Sequence, residues 1–418
     1  MTKLSPVLKQ STNLVVQSGH GCWLKATNGK EYLDFTSGIA VTSTGHCHPK
    51  IVEAVRAQAE KVAHVQYAVA LHEPLLNLTD ALGTVLPKSL DSIYYGNSGA
   101  EAVEAAIRLA RMATGRPNII SFMGGYHGRT VASASLTSAR ATVRSGFSPL
   151  MAGAYVAAFP HAARWNMSED EAVRFALAEL DLLFKAISDP RDTAAFIIEP
   201  VLGDGGYIPT PVEFIKGLKK RADEHGILLI FDEIQCGVGR TGKYWAQYHY
   251  DVTPDILIFA KGIASGYPIS GIAAPESLMR KAWPGSQGGT YCGNAVAAAA
   301  AIATIEVIAN ESLVENAALR GSELRSSLDQ LVKDHRNMSC NVRGLGLMQG
   351  IEFFDADRKA NWKLAEEIRA EAENQGLLLL TCGQEGNVIR IVPPLIVSKK
   401  ELEQGMDIFS SAIQAVLG

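Results

Sequence analysis

Long apolar runs are missing from this 418-residue sequence. No stretch approaches the roughly 18 residues needed to cross a bilayer, so no membrane partner is expected. The opening Thr2-Lys3-Leu4-Ser5-Pro6 has neither the basic start nor the apolar core of a secretory signal, which points to the cytoplasm. Cysteine is scarce. The six present (Cys22, Cys47, Cys236, Cys292, Cys340 and Cys382) stand singly with no C-x-x-C pair, which argues against a disulfide framework and for reduced thiols. An excess of basic charge is also lacking. With 39 Lys and Arg against 43 Asp and Glu, a formal net charge of -4 and no basic block, nucleic acid is set aside as a partner. His46-Cys47-His48 has metal-ligand residue types but no companion cluster, so a structural turn before Pro49 is favoured and no metal is expected. Repeats, low-complexity tracts and flexible linkers are absent as well.

What is present is an ordinary globular composition, 47% apolar and 20% charged, in a chain too long for one small domain. Cys22 to Ala26 and Lys30 to Phe35 flank Asn28-Gly29, a hairpin-turn dipeptide. The spacing of Ile51, Val52, Val55 and Val62 predicts a helix over 48–64, opened by Pro49. Between about 90 and 275, apolar runs at 93–95, 118–122, 195–198, 227–231 and 256–260 alternate with helical segments, the pattern of βαβ units around a mostly parallel sheet. Helical periodicity resumes over 293–310 and 313–335. Strands are expected at 350–353, 377–380 and 388–392, with helices between and after them, in a smaller α+β lobe. The organisation expected is an N-terminal segment (1–60) joining the small lobe, a large domain (61–315) and a C-terminal small domain (316–418).

Three of the central runs end in ionisable residues: Ile198 leads to Glu199, Phe231 to Asp232-Glu233 and Ala260 to Lys261. In open α/β sheets ligands gather outside the carboxyl ends of strands, so these are candidates for one shared site. Asn97-Ser98-Gly99-Ala100 passes from a strand into a helix, whose free amides and dipole favour a phosphate. Taken alone, a simple cap at Asn97 or Ser98 is the better reading of that turn. Asp232 and Lys261 suit a pyridinium cofactor that needs an acid at its ring nitrogen and an amine at its aldehyde, although singly each reads as a turn acid or a solvated lysine. Gly237-Val238-Gly239-Arg240-Thr241-Gly242 matches the dinucleotide-binding G-x-G-x-x-G. Asp232-Glu233 intervenes before it and Lys243-Tyr244-Trp245 follows where a helix should begin, so a mobile or tightly turned loop is favoured over a dehydrogenase.

Together the segments Asn97-Ser98-Gly99-Ala100-Glu101-Ala102, Tyr126-His127-Gly128-Arg129-Thr130, Ile198-Glu199-Pro200, Asp232-Glu233-Ile234-Gln235, Phe259-Ala260-Lys261-Gly262, Gly288-Gly289-Thr290-Tyr291-Cys292-Gly293-Asn294 and Arg390-Ile391-Val392-Pro393-Pro394 resemble the class III aminotransferases. Within that family the motifs are most similar to those of the 4-aminobutyrate aminotransferases. The resemblance implies fold type I and the cofactor pyridoxal 5'-phosphate. It assigns Lys261 as Schiff-base lysine and proton carrier, and Asp232 as partner of the pyridine nitrogen. Gln235 would meet the phenolic oxygen, Tyr126 would stack on the ring, and Ser98, Gly99 and Ala100 would hold the phosphate. His127 and Glu199 belong to the same cofactor set. Thr290 would reach the cofactor of a neighbouring subunit, which implies a homodimer or a higher homo-oligomer.

By the same resemblance Arg390 holds the carboxylate beside the amine of an α-amino acid, and Arg129 the distal carboxylate of an ω-amino acid; a plain salt bridge is the alternative for each. Asp204 stands where the family usually has glutamate and Leu202 where glutamine is common, leaving the acid about 1.5 Å short. Ile39, Tyr67 and Phe159 are candidate walls of the donor pocket. The implied activity moves an amino group from an ω-amino acid such as 4-aminobutyrate, or an amine, to 2-oxoglutarate or pyruvate by a ping-pong route. Decarboxylation of a dialkylglycine type, an aminomutase reaction and a non-catalytic cofactor-binding role are the alternatives.

Overall fold

The computed structural model describes residues 2–335 and 338–418. At its centre is a seven-stranded sheet in the order Ser92–Gly96, Ser270–Ala274, Ile256–Phe259, Leu228–Asp232, Thr193–Ile198, Asn118–Phe122, Ala154–Ala157. The strands from Ile256–Phe259 to Ala154–Ala157 pair in parallel, and Ser270–Ala274 alone is reversed, antiparallel to both its neighbours. The α/β architecture with a mostly parallel sheet is as expected, and all five apolar runs are strands. Ala154–Ala157 and Ser270–Ala274 were not anticipated. Ala154–Ala157 is a four-residue edge strand whose strand formers are only Tyr155 and Val156, and the serine, glycine and alanine of Ser270–Ala274 carry little strand preference; both are held in place by well-formed neighbours.

Alternation along the strands explains how both faces are covered. Ile197, Ile230, Ile258 and Ile272 pack with Ala102, Ala106, Leu109 and Ala110 of helix Gly99–Thr114. Phe122, Phe196, Ile198 and Phe231 pack with Leu180 of helix Glu169–Ala186 and with Phe214 and Leu218 of helix Val212–His225. A parallel sheet buried on both faces reads as nearly continuous apolar runs, which is why these strands were legible.

The N-terminal hairpin forms as expected, with Trp23–Ala26 antiparallel to Glu31–Asp34. The helix after it is shorter than its pattern suggests, ending at Ala59. The stretch 377–380 divides: Leu377–Leu378 pairs in parallel with Glu31–Asp34, while Leu380–Cys382 joins a C-terminal antiparallel sheet ordered Ser339–Leu345, Met348–Phe354, Val388–Ile391, Leu380–Cys382. Among the described residues no single helix is long and apolar enough to cross a membrane. His46 meets Asp34 at 2.8 Å and His48 meets Glu311 at 3.2 Å.

The G-x-G-x-x-G segment is a tight turn followed by no α-helix, only the single 3-10 turn Ala246–His249. Its Arg240, 1% exposed, donates to the Leu347 and Pro393 carbonyls and so ties the C-terminal sheet to the central one. Gly346 (φ +52°) packs on the Thr241–Gly242 backbone, and Gly321 of helix Leu313–Asp334 packs on Gly346 in turn. A Cβ at Gly321 would stand inside van der Waals contact of the Gly346 backbone, with no flexible side chain to yield. Gly321→Ala is therefore expected to destabilise the protein by about 1–3 kcal/mol, read as a lowered Tm. An unchanged Tm would show that the helix can retreat at no cost.

Candidate active site

The carboxyl ends of five central strands open on one cavity of about 420 Å³, lined among others by Asn97, Ser98, Gly99, Ala100, Tyr126, His127, Arg129, Glu199, Asp232, Gln235 and Lys261. Ten of the sequence-derived candidates thus share one space, including the three ionisable strand ends. Ile234, Tyr267 and Ile269 also line it and were not singled out. Ile234 could have been found, because it lies within the Asp232–Gln235 motif and its side chain abuts Gly99.

Asp232 is 3% exposed and both its oxygens are taken. Oδ2 lies 2.8 Å from Nδ1 of the buried His127, and Oδ1 accepts the Ile234 amide at 3.1 Å. Glu199, 4% exposed, accepts the Tyr126 amide (2.8 Å) and the Gly203 amide (2.9 Å). Burial nonetheless raises its pKa to about 7, with the Asp232 charge adding to the rise and His127 and the two amides opposing it. Lys261 follows strand Ile256–Phe259 with φ +46°, a conformation a non-glycine residue adopts only under constraint. Surrounding protein lowers its pKa, and the charges of Glu199 and Asp232 oppose that. The direction favours a free, nucleophilic amine.

The turn before helix Gly99–Thr114 serves as a cap as well. Ser98 Oγ accepts the Glu101 amide, and Glu101 Oε2 reaches back to the Asn97 and Ser98 amides at 2.6 and 3.2 Å. The Gly99 and Ala100 amides, at the first two helical positions, have no intrahelical acceptor and remain for an anion. Gln235 Oε1 and His127 Nε2 are buried without partners. Free amides at a helix start, a buried carboxylate steadied by histidine, an amine with a lowered pKa and an unpaired buried amide oxygen fit pyridoxal phosphate well. Gly203 contributes by lacking a side chain, since a Cβ there would strike the Gln235 amide.

Of the two arginines expected to hold carboxylates, only Arg129 lines the cavity. Its Nε donates to Tyr126 Oη at 3.1 Å. Arg390, on strand Val388–Ile391, is 6% exposed and faces Asp204 Oδ1 at 3.6 Å, beyond the roughly 2.7–2.9 Å of a charge-assisted hydrogen bond. Its Nε is buried without a partner. Burial lowers the Arg390 pKa, but Tyr207, Cys382 and Asp204 outweigh it and leave the pKa raised. Tyr207, which the sequence reading missed, is fully buried at φ +53°, with its hydroxyl beside Arg390 but closing no hydrogen bond of good geometry. No sequence signal marks it, because the contact joins segments far apart in the chain.

Three candidates lie elsewhere within this one chain. Ile39 and Thr290 are exposed, and Tyr67 stands against Gly288, so none of the three lines the cavity. Phe159 requires a correction: it is 2% exposed and packs against Phe214 in the core at 6.3 Å, so it is not a wall of this cavity. Its position just past an edge strand directs it into the aromatic layer beneath the sheet.

The comparisons with known proteins agree with this geometry. The family model for aminotransferase class-III matches residues 5–413. The chain is 40% identical over 390 residues to the 5-aminovalerate aminotransferase DavT of Pseudomonas putida, covering 93% of this chain and 90% of that one. It is 40% identical over 392 residues to the 4-aminobutyrate aminotransferase GabT of Escherichia coli, with coverage of 93% and 91%. A solved (S)-enantioselective omega-transaminase from Thermomicrobium roseum superposes with a TM-score of 0.92 at 30% identity, covering 100% of this chain and 97% of that one. The chain belongs to the class III aminotransferases, enzymes that work with pyridoxal phosphate.

Proposed function

We propose that the protein takes the amino group of an ω-amino acid or amine and passes it to a 2-oxo acid by a ping-pong route. The observation that carries this reading is the convergence of Lys261, the His127-held Asp232 and the free Gly99 and Ala100 amides on one cavity. Arg129 is on its wall, and Arg390 is close enough for its charge to act on Lys261. Bound pyridoxal phosphate supplies an aldehyde carbon and an aromatic ring that draws electrons from a substrate C–H bond.

The protein's own groups do the rest. Lys261 Nζ would hold the cofactor's aldehyde carbon and, when free, would serve as the base that carries a proton. Asp232, its carboxylate oriented by His127, would hold the ring nitrogen in its protonated form. Gln235 would take the phenolic oxygen, Tyr126 the ring face, and Ser98, Gly99 and Ala100 the phosphate. Glu199 knits the Tyr126 and Gly203 turns around this arrangement. Thr290 of the partner subunit completes the phosphate site in a homodimer, which accords with its exposure in the single chain. Six unpaired thiols suit a cytoplasmic location.

Substrate choice rests with the arginines. A 2-oxo acid offers Arg390 the bidentate partner that Asp204, at 3.6 Å, does not. 2-Oxoglutarate fills both clamps, its distal carboxylate on Arg129, whereas pyruvate fills one. For an ω-amino donor the distal carboxylate goes to Arg129, and Arg390 must fall back on Asp204. The short acid makes that half-reaction the weaker one.

Lys261→Ala should abolish transamination, with kcat falling by at least the roughly 10²–10⁴-fold a positioned proton carrier contributes. Its circular dichroism should remain native, and substantial residual turnover would sink the assignment. Asp204→Glu restores the missing reach. It is expected to raise the KM for the 2-oxo acid and to raise kcat/KM for 4-aminobutyrate or 5-aminovalerate, each by about fivefold, the equivalent of one hydrogen bond of about 1 kcal/mol. A donor and acceptor panel that comes out the same for variant and parent would show that Asp204 does not govern Arg390.

A further inference from the structure

Three cavities of about 270, 200 and 580 Å³ lie beside the site and share the Arg164 and Gln384 side chains as a common wall. The largest is lined by Arg140, Arg144 and Arg164 together with Ser138, Ser145 and Ser148, and has Glu385 as its one carboxylate. Several other arginines of the protein are paired with acids, among them Arg221 with Asp181, Arg343 with Glu352, and Arg369 with Glu366 and Glu373, while others such as Arg116 and Arg240 give their donors to backbone carbonyls. Among the described residues none of Arg140, Arg144 and Arg164 has a carboxylate within 4.0 Å. Arg164 donates only to the neutral Gln384 side chain. Arg140 gives Nε to the Gly383 carbonyl at 3.2 Å and keeps a buried Nη2 with no partner. Three like charges that repel one another across a shared space, one with an unpartnered buried donor, are stabilised by an anion between them.

We propose that this cavity binds a small multivalent oxyanion, inorganic phosphate or a di- or tricarboxylate, gripped by Arg140, Arg144 and Arg164. The site is separate from the Lys261 cavity and shares none of its lining residues. A single residue links it to the substrate clamp. Gly383 accepts Arg140 Nε at its carbonyl and donates its amide to the Asp204 carbonyl at 2.9 Å, and Asp204 is the residue facing Arg390. An anion that draws Arg140 toward itself shifts Gly383 and with it the hold on Arg390. This link, unlike the site itself, rests on the reading of Arg390 as the 2-oxo acid clamp.

The test is calorimetric titration of the cofactor-loaded enzyme with inorganic phosphate and, separately, with citrate, repeated on an R144Q/R164Q double variant. Both side chains have solvent access, so the variant should fold and retain its kcat in the absence of added anion. The expected result is one saturable site per chain for at least one probe, weakened about tenfold or more in the variant. Saturation by phosphate alone identifies a free phosphate site, and saturation by citrate alone a carboxylate site. No saturable binding of either probe up to about 10 mM, or equal binding by parent and variant, overturns the proposal. At saturating anion the KM for the 2-oxo acid should change about twofold or more in the parent and not in the variant. Binding with an unchanged KM overturns the link through Gly383 and leaves the site standing.

Discussion

Two carboxylates, Glu199 and Asp232, sit almost wholly inside the protein next to Lys261, and their oxygens are what the surrounding turns are organised to satisfy. A buried carboxylate without hydrogen-bond donors is costly enough to neutralise itself or to unfold its surroundings. Here the donors are largely backbone. Glu199 takes the Tyr126 and Gly203 amides, and Asp232 takes the Ile234 amide and the His127 ring. The turns following three neighbouring strands are thereby tied together at the strand ends, and the cavity has the shape that those bonds leave. Removing one acid would free two turns at once, so the same groups serve the fold and the chemistry.

That coupling accounts for which parts could be read from the sequence. Strands buried on both faces are continuous apolar runs, and the residues just past them lie at the carboxyl edge of a parallel sheet, so Glu199, Asp232 and Lys261 could be placed together before any coordinates. His127 and Gln235 came with their motifs. Ala154–Ala157 escaped because it is only four residues long at the sheet edge, Ser270–Ala274 because small residues become strands only through their neighbours, and Ser339–Leu345 because its half-buried face shows no clean alternation. Phe159 was misjudged because its direction depends on an edge strand that had not been recognised. Tyr207 was invisible for a different reason: its contact with Arg390 crosses from a turn of the central domain to a strand near the C-terminus. Thr290, Ile39 and Tyr67 lie outside the cavity of the single chain.

The G-x-G-x-x-G segment shows how a motif can keep its glycines and change its purpose. Without a following α-helix there is no dipole to face a pyrophosphate, and the glycines instead allow close packing on Leu395 and Ala318. Arg240 then turns inward and gives its donors to carbonyls at Leu347 and Pro393. Burial lowers its pKa to about 10, so it stays charged at neutral pH without a carboxylate partner. Its work is to hold the sheet that carries Arg390 against the sheet that carries Lys261.

Arg390 and Lys261 therefore belong to different sheets, and several contacts set the distance between them. Arg240 is one. Arg343 is another, donating to the Gly206 carbonyl at 2.7 Å while paired with Glu352 of the same C-terminal sheet. The Gly383 amide on the Asp204 carbonyl is a third. Two of these three end on the Gly203–Tyr207 loop. Its glycines leave room for the Gln235 amide, the Gly124 carbonyl and the Arg343 guanidinium. A loop packed this closely cannot move Asp204 toward Arg390 without disturbing its anchors, so the 3.6 Å gap is held open by the backbone. A longer acid could close it from the same Cα, whereas aspartate leaves Arg390 incompletely paired.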